Sequence, residues 1–306
     1  MTQVKVHEVG LRDGLQIEKH TVPTESKVRW AEALIEAKVD VIQLGSFVNP
    51  AKVPQMADTE QLFAHFSKLG TNRAVLSGLV LNEKGLDRGL ACGVEMFCMG
   101  VSASETHSRK NVGAGTEEAV LQIVPMAKKA MAAHKRVQAS VQSAFGCGFE
   151  GAIPAERVLK IVKMYLDAGV RNISLADTAG HANPAQVEAL FAAIRDLDSQ
   201  VELAAHFHNT YALGLANCCV AMKSGVTYIE TAFGGLGGCP FTKVAAGNVC
   251  TEDFVHTLQR MGLRTDIRLS SLIDVARDVG QVLGRELPGF ILRAGSIVDF
   301  KRPAKE

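Results

Sequence analysis

The chain has 306 residues, of which 47% are hydrophobic and 21% are charged, and its formal net charge is +1. This composition is sufficient for a large core and gives no reason to expect nucleic acid or an anionic membrane as a partner. No apolar run approaches the roughly 20 residues that a membrane-spanning helix needs. The seven cysteines form no regular framework, and the first strand candidate begins near Val4. We therefore expect a cytoplasmic protein that has no leader peptide.

Short β-rich segments alternate with amphipathic segments along the chain. Helical periodicity in residues 26–38 places Val28, Ala31, Leu34 and Ile35 on one face. The segment "PAERVLKIVKMYLDAGV" opens with proline and closes near a glycine, as helices often do. Strand candidates lie at residues 4–9, 40–45, 73–80, 94–100, 136–142, 171–176, 201–207 and 227–233.

Eight strand-then-helix units in succession predict an α/β fold with parallel strands and right-handed crossovers. Eight units favour a closed (β/α)8 TIM barrel, and an open doubly wound sheet is the alternative. No linker or charge block divides the chain, so residues 1–306 are expected to form a single barrel domain. Residues 262–306 continue as additional C-terminal helices, an appendage that covers the barrel or contributes to a subunit contact.

Uncommon polar residues follow the predicted strands, where barrel enzymes carry their chemistry. The motif "HFHNT" places His206 and His208 two residues apart on a strand, so both side chains point to the same face. Either a polar layer of the barrel contains both imidazoles, or they bind a metal ion. The other polar residues at strand ends are Arg12, Asp13, Gln16, Gln43, Ser46, Ser174 and Asp177.

Metal binding is favoured by Asp13 after the first strand and by Asn248 beyond the eighth. Strands seven, eight and one become neighbours when a barrel closes, so these residues and the two histidines are expected to meet. Two imidazoles, one carboxylate and one amide oxygen suit six-coordinate Mg²⁺ or Mn²⁺, with positions left for substrate. A structural zinc site fits poorly because no thiolate cluster accompanies the histidines.

Three further features of the predicted barrel mouth have two interpretations each. Arg12 either pairs with a loop carboxylate or stabilises an enolate oxygen beside the metal. The glycines of "GGLGG" allow tight turns and close backbone approach, and they do not by themselves indicate a phosphate site. Cys239, just after them, is either a proton donor over the metal site or a redox-sensitive thiol without a role.

The chain resembles the 3-hydroxy-3-methylglutaryl-CoA lyase family, within the superfamily of metal-dependent barrel lyases, aldolases and condensing enzymes. The resemblance runs from about residue 4 to about residue 260, and the "GGLGGCP" loop is its most specific part. The matching motifs, in order, are "EVGLRDGLQ", "SFVNPAKVPQMAD", "GVSASE", "ISLADT", "HFHNTYALGLAN" and "GGLGGCPFTKVAAGNVCTED".

This resemblance implies a homodimeric lyase that uses Mg²⁺ or Mn²⁺ held by Asp13, His206, His208 and Asn248. The implied reaction is retro-Claisen cleavage of a 3-hydroxy-3-methylglutaryl-type acyl-CoA to acetyl-CoA and a keto acid, which is acetoacetate in leucine degradation.

The resemblance also assigns roles to individual residues. It implies that Arg12 polarises the thioester carbonyl and that Cys239, on a closing loop, protonates the enolate. Asp177 and His206 are the candidate bases, with a slight preference for Asp177 as base or orienter. Contacts with substrate are expected from Arg12, Gln16, Lys19, Gln43, Ser46 and Ser174, with Lys19 near the CoA phosphates.

The chain departs from the family pattern at three positions. Gln43 and Asn209 stand where the family usually has acidic residues, and Leu11 replaces the usual proline. Loss of carboxylates near a metal lowers its affinity or shifts the substrate. The alternatives are a lyase for another branched hydroxyacyl-CoA, an aldolase for a hydroxy keto acid, a Claisen-condensing acyltransferase, and a barrel that binds without catalysis.

Overall fold

The computed structural model describes residues 4–70, 74–238 and 247–297 and contains one closed barrel of eight parallel strands. Each strand pairs with the strands that precede and follow it in sequence, and β1 pairs with β8. The strands are β1 (Lys5–Glu8), β2 (Val41–Ser46), β3 (Val75–Leu79), β4 (Met96–Ser102), β5 (Arg136–Gln142), β6 (Asn172–Asp177), β7 (Glu202–Phe207) and β8 (Tyr228–Thr231).

Helices surround the barrel, and two of them, α4 and α5, follow β4. Two more helices, α10 and α11, come after α9, the helix that follows β8. None of the helices in the described segments is long and apolar enough to cross a membrane. The helices are α1 (Thr24–Glu36), α2 (Thr59–Phe66), α3 (Glu83–Ala91), α4 (Glu105–Val112), α5 (Thr116–Ala132), α6 (Ala155–Asp167), α7 (Pro184–Leu197), α8 (Gly214–Lys223), α9 (Thr251–Arg260), α10 (Leu269–Leu283) and α11 (Phe290–Ala294).

The predicted TIM barrel is confirmed, and the open-sheet alternative is wrong. All eight strand candidates are strands, with small shifts at their ends; the eighth stops at Thr231, two residues before its predicted end. Helix α1 buries Ala31 and Leu34 as expected, but Trp30 and Lys27 complete its inner face. Trp30 donates a hydrogen bond of 2.6 Å to Asp278, which attaches the additional helix α10 to the side of the barrel.

The buried Glu8 side chain at the end of β1 bridges the seam where β1 pairs with β8. One oxygen of Glu8 accepts the backbone N–H groups of Gly10 at 2.7 Å and Phe233 at 3.0 Å. The other oxygen accepts the Thr251 hydroxyl at 2.6 Å. Burial raises the pKa of Glu8 to about 8. The carboxylate thus joins the loops after β1 and β8 to the start of α9.

The barrel interior is apolar in its lower part and polar towards the carboxyl ends of the strands. Val41, Met96, Ala204 and Tyr228 pack together within the barrel. Further along the strands, the His7 ring contacts the Ser77 hydroxyl at 2.9 Å. This apolar layer fills the end of the barrel where the strands begin, and the interior is open at the face where the strands end.

Arg264 links the segment after α9 to the amino ends of β1 and β2. Its side chain is 3% exposed and contacts Asp40 at 2.5 Å and Asp266 at 3.0 Å. It also donates to the Val4 carbonyl, while Asp40 accepts the Val6 N–H. A buried guanidinium paired in this way leaves unpaired polar groups when it is removed.

We predict that Arg264→Leu lowers the free energy of unfolding by about 2 kcal/mol, a value reduced from that of fully buried pairs because Asp40 is 26% exposed. Chemical denaturation followed by circular dichroism measures this change. Arg277→Leu is the matched control, because its pair with Asp274 is exposed and should change stability by less than about 1 kcal/mol. Equal effects of the two substitutions would contradict the role assigned to Arg264.

Candidate metal centre and its cavity

The turn after β1 presents Arg12 and Asp13 to the barrel mouth. The turn is wider than an α-helical turn, since Gly14 N–H donates to Val9 and Leu15 N–H donates to Gly10, each five residues back. Turns of this kind are rare and occur often at functional sites. A side chain at Gly10 would lie 2.7 Å from the Glu8 carboxylate, so only glycine fits there.

His206 and His208 project from the end of β7 towards Asp13. Their Nε2 atoms lie 3.1 Å apart, whereas the buried Phe207 between them packs in the hydrophobic core outside the barrel. One ligand atom from each histidine and one carboxylate oxygen of Asp13 lie within 4.8 Å of one another. The predicted meeting of these three residues is confirmed.

Asn248 completes the cluster. Its Nδ2 donates to Asp13 Oδ2 and to the Leu236 carbonyl, both at 2.9 Å. Its Oδ1 is buried and has no hydrogen-bond partner among the described residues. Leaving a buried acceptor unpaired costs free energy, and a cation beside Asp13 would satisfy it.

Gly237, within the "GGLGG" motif, and Gly247, further along the chain, allow the backbone to pass close to the cluster. A Cβ on Gly237, whose φ is +92°, would lie 2.5 Å from Asn248 Nδ2 and 3.2 Å from Asp13 Oδ2. A Cβ on Gly247 would lie 1.8 Å from the Gly235 carbonyl. These glycines therefore serve close backbone approach, the first of the two interpretations considered from the sequence.

Glu230 on β8 supports the first histidine and was missed in the sequence analysis. Its carboxylate contacts His206 Nδ1 at 2.9 Å and accepts the Ser174 hydroxyl at 3.0 Å. Metal-binding histidines commonly hold a carboxylate on the nitrogen that faces away from the metal. The alternation of side chains along β8 would have placed this residue inside the barrel, because Glu230 lies two residues after Tyr228 and faces the same side of the strand.

Burial and mutual charge set the protonation of the cluster. Burial alone would lower the pKa of His206, but the hydrogen bond and charge of Glu230 outweigh it and raise that pKa. Burial and the charge of His206 lower the pKa of His208 to about 4. Burial would raise the pKa of Asp13, but the charges of Arg12 and the histidines hold it well below its usual value. His208 is therefore neutral and Asp13 ionised at pH 7, the states in which they can bind a cation. The raised pKa of His206 favours its charged form, so this ring must lose a proton before it binds a cation.

Arg12 connects the cluster to β2. Its Nε donates to Gln43 Oε1, and its Nη1 lies 2.6 Å from Asp13 Oδ1. Gln16 donates to the same carboxylate oxygen at 3.2 Å. The pairing of Arg12 with a loop carboxylate, one of the two interpretations, is thus present. Within the described residues, no hydrogen bond to the Nη2 group is present.

Three further predicted site residues do not line the cavity: Asp177, Ser46 and Lys19. Both oxygens of Asp177 accept backbone N–H groups, from His181 at 2.7 Å and Ala182 at 3.1 Å, and burial raises its pKa to about 6. Ser46 is buried against Thr59, and Lys19 is exposed; neither lines the cavity. Cys239 lies outside the described residues.

Asn209 also lies away from the cavity lining. Its side-chain oxygen accepts the Gly214 N–H at 3.0 Å, at the start of α8. Its side chain thus contacts the start of the helix and does not line the cavity. The expectation that this amide removes a negative charge near the metal stays a prediction.

The cavity next to the cluster opens at the carboxyl-end face and has a volume of about 230 Å³. From the sequence we predicted the residues on its charged side but not most of the residues on the opposite side. Its lining comprises Arg12, Asp13, Gln16, Ile17, Gln43, Leu79, Cys98, Met99, His107, Asn111, Gln138, Ser140, Gln142, Ser174, Ala176, Thr178, His206, His208, Glu230 and Gly238.

The donor set fits a divalent cation. Asp13, His206 and His208 would hold it with Asn248 Oδ1, the acceptor that has no protein partner. Carboxylate, imidazole and amide-oxygen ligands are all common in sites for divalent metal ions.

Known proteins share this sequence and fold. The HMGL-like family model matches residues 3–279. Hydroxymethylglutaryl-CoA lyase YngG of Bacillus subtilis is 34% identical over 286 residues, which cover 94% of this chain and 95% of that protein. The mitochondrial hydroxymethylglutaryl-CoA lyase of Mus musculus is 36% identical over 293 residues, 95% of this chain and 89% of that protein.

Solved structures agree with these relatives. An HMG-CoA lyase from Acinetobacter baumannii, in complex with coenzyme A and 3-methylmalate, has a TM-score of 0.91 and 35% identity and covers 98% of each chain. The Bacillus subtilis HMG-CoA lyase has a TM-score of 0.89 and 34% identity, with coverage of 95% and 97%. With the family model matching most of the sequence and the relatives aligned along nearly all of it, this chain belongs to the HMGL-like family.

Proposed function

We propose that this chain, a carbon–carbon lyase of the hydroxymethylglutaryl-CoA lyase type, cleaves a 3-hydroxy-3-methylglutaryl-type acyl-CoA to acetyl-CoA and a keto acid. The observation that carries the proposal is the cluster of Asp13, His206 and His208 beside the partnerless oxygen of Asn248. A bound divalent cation supplies Lewis-acid chemistry, which makes an alcohol more acidic and orients it. Mg²⁺ and Mn²⁺ are the proposed ions.

Arg12 is proposed to stabilise the charge that develops on the thioester oxygen when the bond breaks. Its contacts with Gln43 and Asp13 fix the guanidinium before substrate arrives, and its Nη2 has no hydrogen bond in the part of the chain that the structure describes. A donor that is oriented in advance is effective because no reorganisation is needed during the reaction.

We propose that neither candidate base accepts the proton directly. His206 Nδ1 contacts Glu230 and its Nε2 would bind the cation, so no ring lone pair is free to accept a proton. Asp177 does not line the cavity, and each of its oxygens accepts a backbone N–H group. We propose that Asp177 orients the loop after β6 and contacts no reacting atom, so the slight preference for it as the base is not retained.

The proton donor to the enolate is proposed to be Cys239. The residue before it, Gly238, lines the cavity, which supports a position for the thiol near the substrate. A relative bound to coenzyme A supports a CoA thioester as substrate rather than a free keto acid.

The oligomer and the compartment are also proposals. A homodimer is supported by the family resemblance and by the exposed apolar side chains Val282 and Phe290 on the added helices. A reducing, cytoplasmic compartment is supported by the buried free thiols Cys98, Cys147 and Cys218.

We expect a metal-stripped sample to release no acetyl-CoA from hydroxymethylglutaryl-CoA and to recover activity with Mg²⁺ or Mn²⁺. Asp13→Asn should weaken cation binding at least tenfold, because it removes a charged ligand. Calorimetry with Mn²⁺ and a coupled acetyl-CoA assay measure the two effects. Asp274→Asn, at an exposed acidic residue outside the cavity, is the control. Full activity in the presence of a chelator would refute the proposal.

Asp177→Asn is expected to lower kcat less than about tenfold, because an amide oxygen can still accept one loop N–H. Loss of a true general base costs about 10²–10⁴-fold. Steady-state kinetics measures kcat, and a thermal melt with a Mn²⁺ titration tests whether the fold and the metal site persist. A thousandfold loss in a folded, metal-binding variant would show that Asp177 is the base after all.

Gln43→Glu is expected to raise kcat/KM for hydroxymethylglutaryl-CoA about three- to tenfold. The carboxylate would replace a neutral acceptor on Arg12 Nε, and charge-assisted hydrogen bonds are roughly twice as strong. Gln16→Glu is the matched control, since it adds the same charge near Asp13 without touching Arg12 Nε. If both variants behave alike, added charge and not the contact with Arg12 is responsible.

A further inference from the structure

The cavity has two chemically different walls. The wall from β1, β7 and β8 carries Arg12, Asp13, His206, His208 and Glu230. The opposite wall comes from β3 to β6 and α4, and its described side chains carry no charge, since burial lowers the pKa of His107. A ligand that fits both walls has a charged, metal-binding part and an uncharged part.

Gln138 lies deepest along β5. The residues of β5 that line the cavity are Gln138, Ser140 and Gln142, which span roughly 13 Å along a strand that runs towards the mouth. Gln138 is 2% exposed, and its Nε2 has no hydrogen-bond partner within the described residues. Its Oε1 is 3.6 Å from the Cys98 thiol. A buried amide without an acceptor is costly, so the contents of the cavity must provide one.

Small residues keep this part of the cavity open. Ser140 packs closely against Gly100 on β4, where a Cβ would lie 2.1 Å from Ser140 Oγ, so its short side chain does not extend across the cavity. Ser174 and Ala176 on β6 are also small and line the same wall. The space between these residues and Gln138 is therefore available to a ligand.

The CoA part of a substrate cannot occupy this space. The barrel is filled below it by Val41, Met96, Ala204 and Tyr228, so there is no passage through the base of the barrel for a nucleotide and its arm. These parts must remain at the mouth. Only the acyl group can extend from the metal centre along the uncharged wall.

We propose that this wall binds an uncharged branch, longer than methyl, on the hydroxyl-bearing carbon of the acyl-CoA, and that Gln138 donates a hydrogen bond to an oxygen on that branch. The inference rests on the proposed lyase function and names its substrate class. Gln138 and Ser140 are then specificity-determining residues.

The test uses three CoA thioesters of 3-hydroxyglutarate, whose third carbon carries methyl, 3-methylbutyl or 3-oxobutyl. The last two have nearly the same shape and differ in one acceptor oxygen. We expect kcat/KM to be at least tenfold higher for 3-oxobutyl than for either of the others. If methyl is cleaved as well as or better than the longer branches, the inference fails and the lyase function stands. If none of the three is cleaved, the lyase function itself fails.

Two variants test the residues. Gln138→Met keeps the length of the side chain without the donor and should reduce the preference for 3-oxobutyl over 3-methylbutyl at least tenfold. Ser140→Leu should shift the ratio of kcat/KM towards methyl, and Leu79→Phe, which fills the cavity from β3, replaces it if the first variant does not fold. Ratios equal to those of the wild-type protein, in variants with an unchanged melting temperature, would overturn the assignment.

Discussion

The pairing of β1 with β8 is the constraint on which the metal centre depends. Asp13 follows β1, His206 and His208 end β7, and Asn248 lies just before α9, so the four come together only in a closed ring. Glu8 strengthens this seam with hydrogen bonds to both sides. Parallel strands all end at one face, and the loops at that face therefore meet there. The chemistry of the site is a consequence of the closure.

Around this centre the chain separates its ionised groups from its neutral ones. Arg12 is held between Asp13 and Gln43, and His206 is backed by Glu230 and, behind it, by Ser174. Each charged side chain of the cluster thus has a partner that fixes its orientation. Such preorganisation lets a site stabilise developing charge without first rearranging. The neutral side from β3 to β6 has fewer such contacts and more room.

The sequence was sufficient for the fold and for the meeting of Asp13, His206 and His208, because these follow from the repeat of strands and helices and from the spacing of the two histidines. Alternation of strands and helices gave the eight units, and the i, i+2 spacing of His206 and His208 placed them on one face. Glu230 was missed because a single acid within an apolar strand has no local motif. The roles of Asp177 and Asn209 depend on which backbone N–H groups the folded loops bring near them, and spacing along the chain does not contain that information.

The wide turn at Gly10–Gly14 and the backbone crossing at Gly247 join residues that are more than 230 positions apart. During synthesis, Asp13 leaves the ribosome long before Asn248 exists. A nascent chain that stops before the last strand contains Asp13, His206 and His208 but lacks Asn248 and the strand pairing that brings Asp13 to the histidines. The four side chains can therefore meet only after most of the chain has been synthesised.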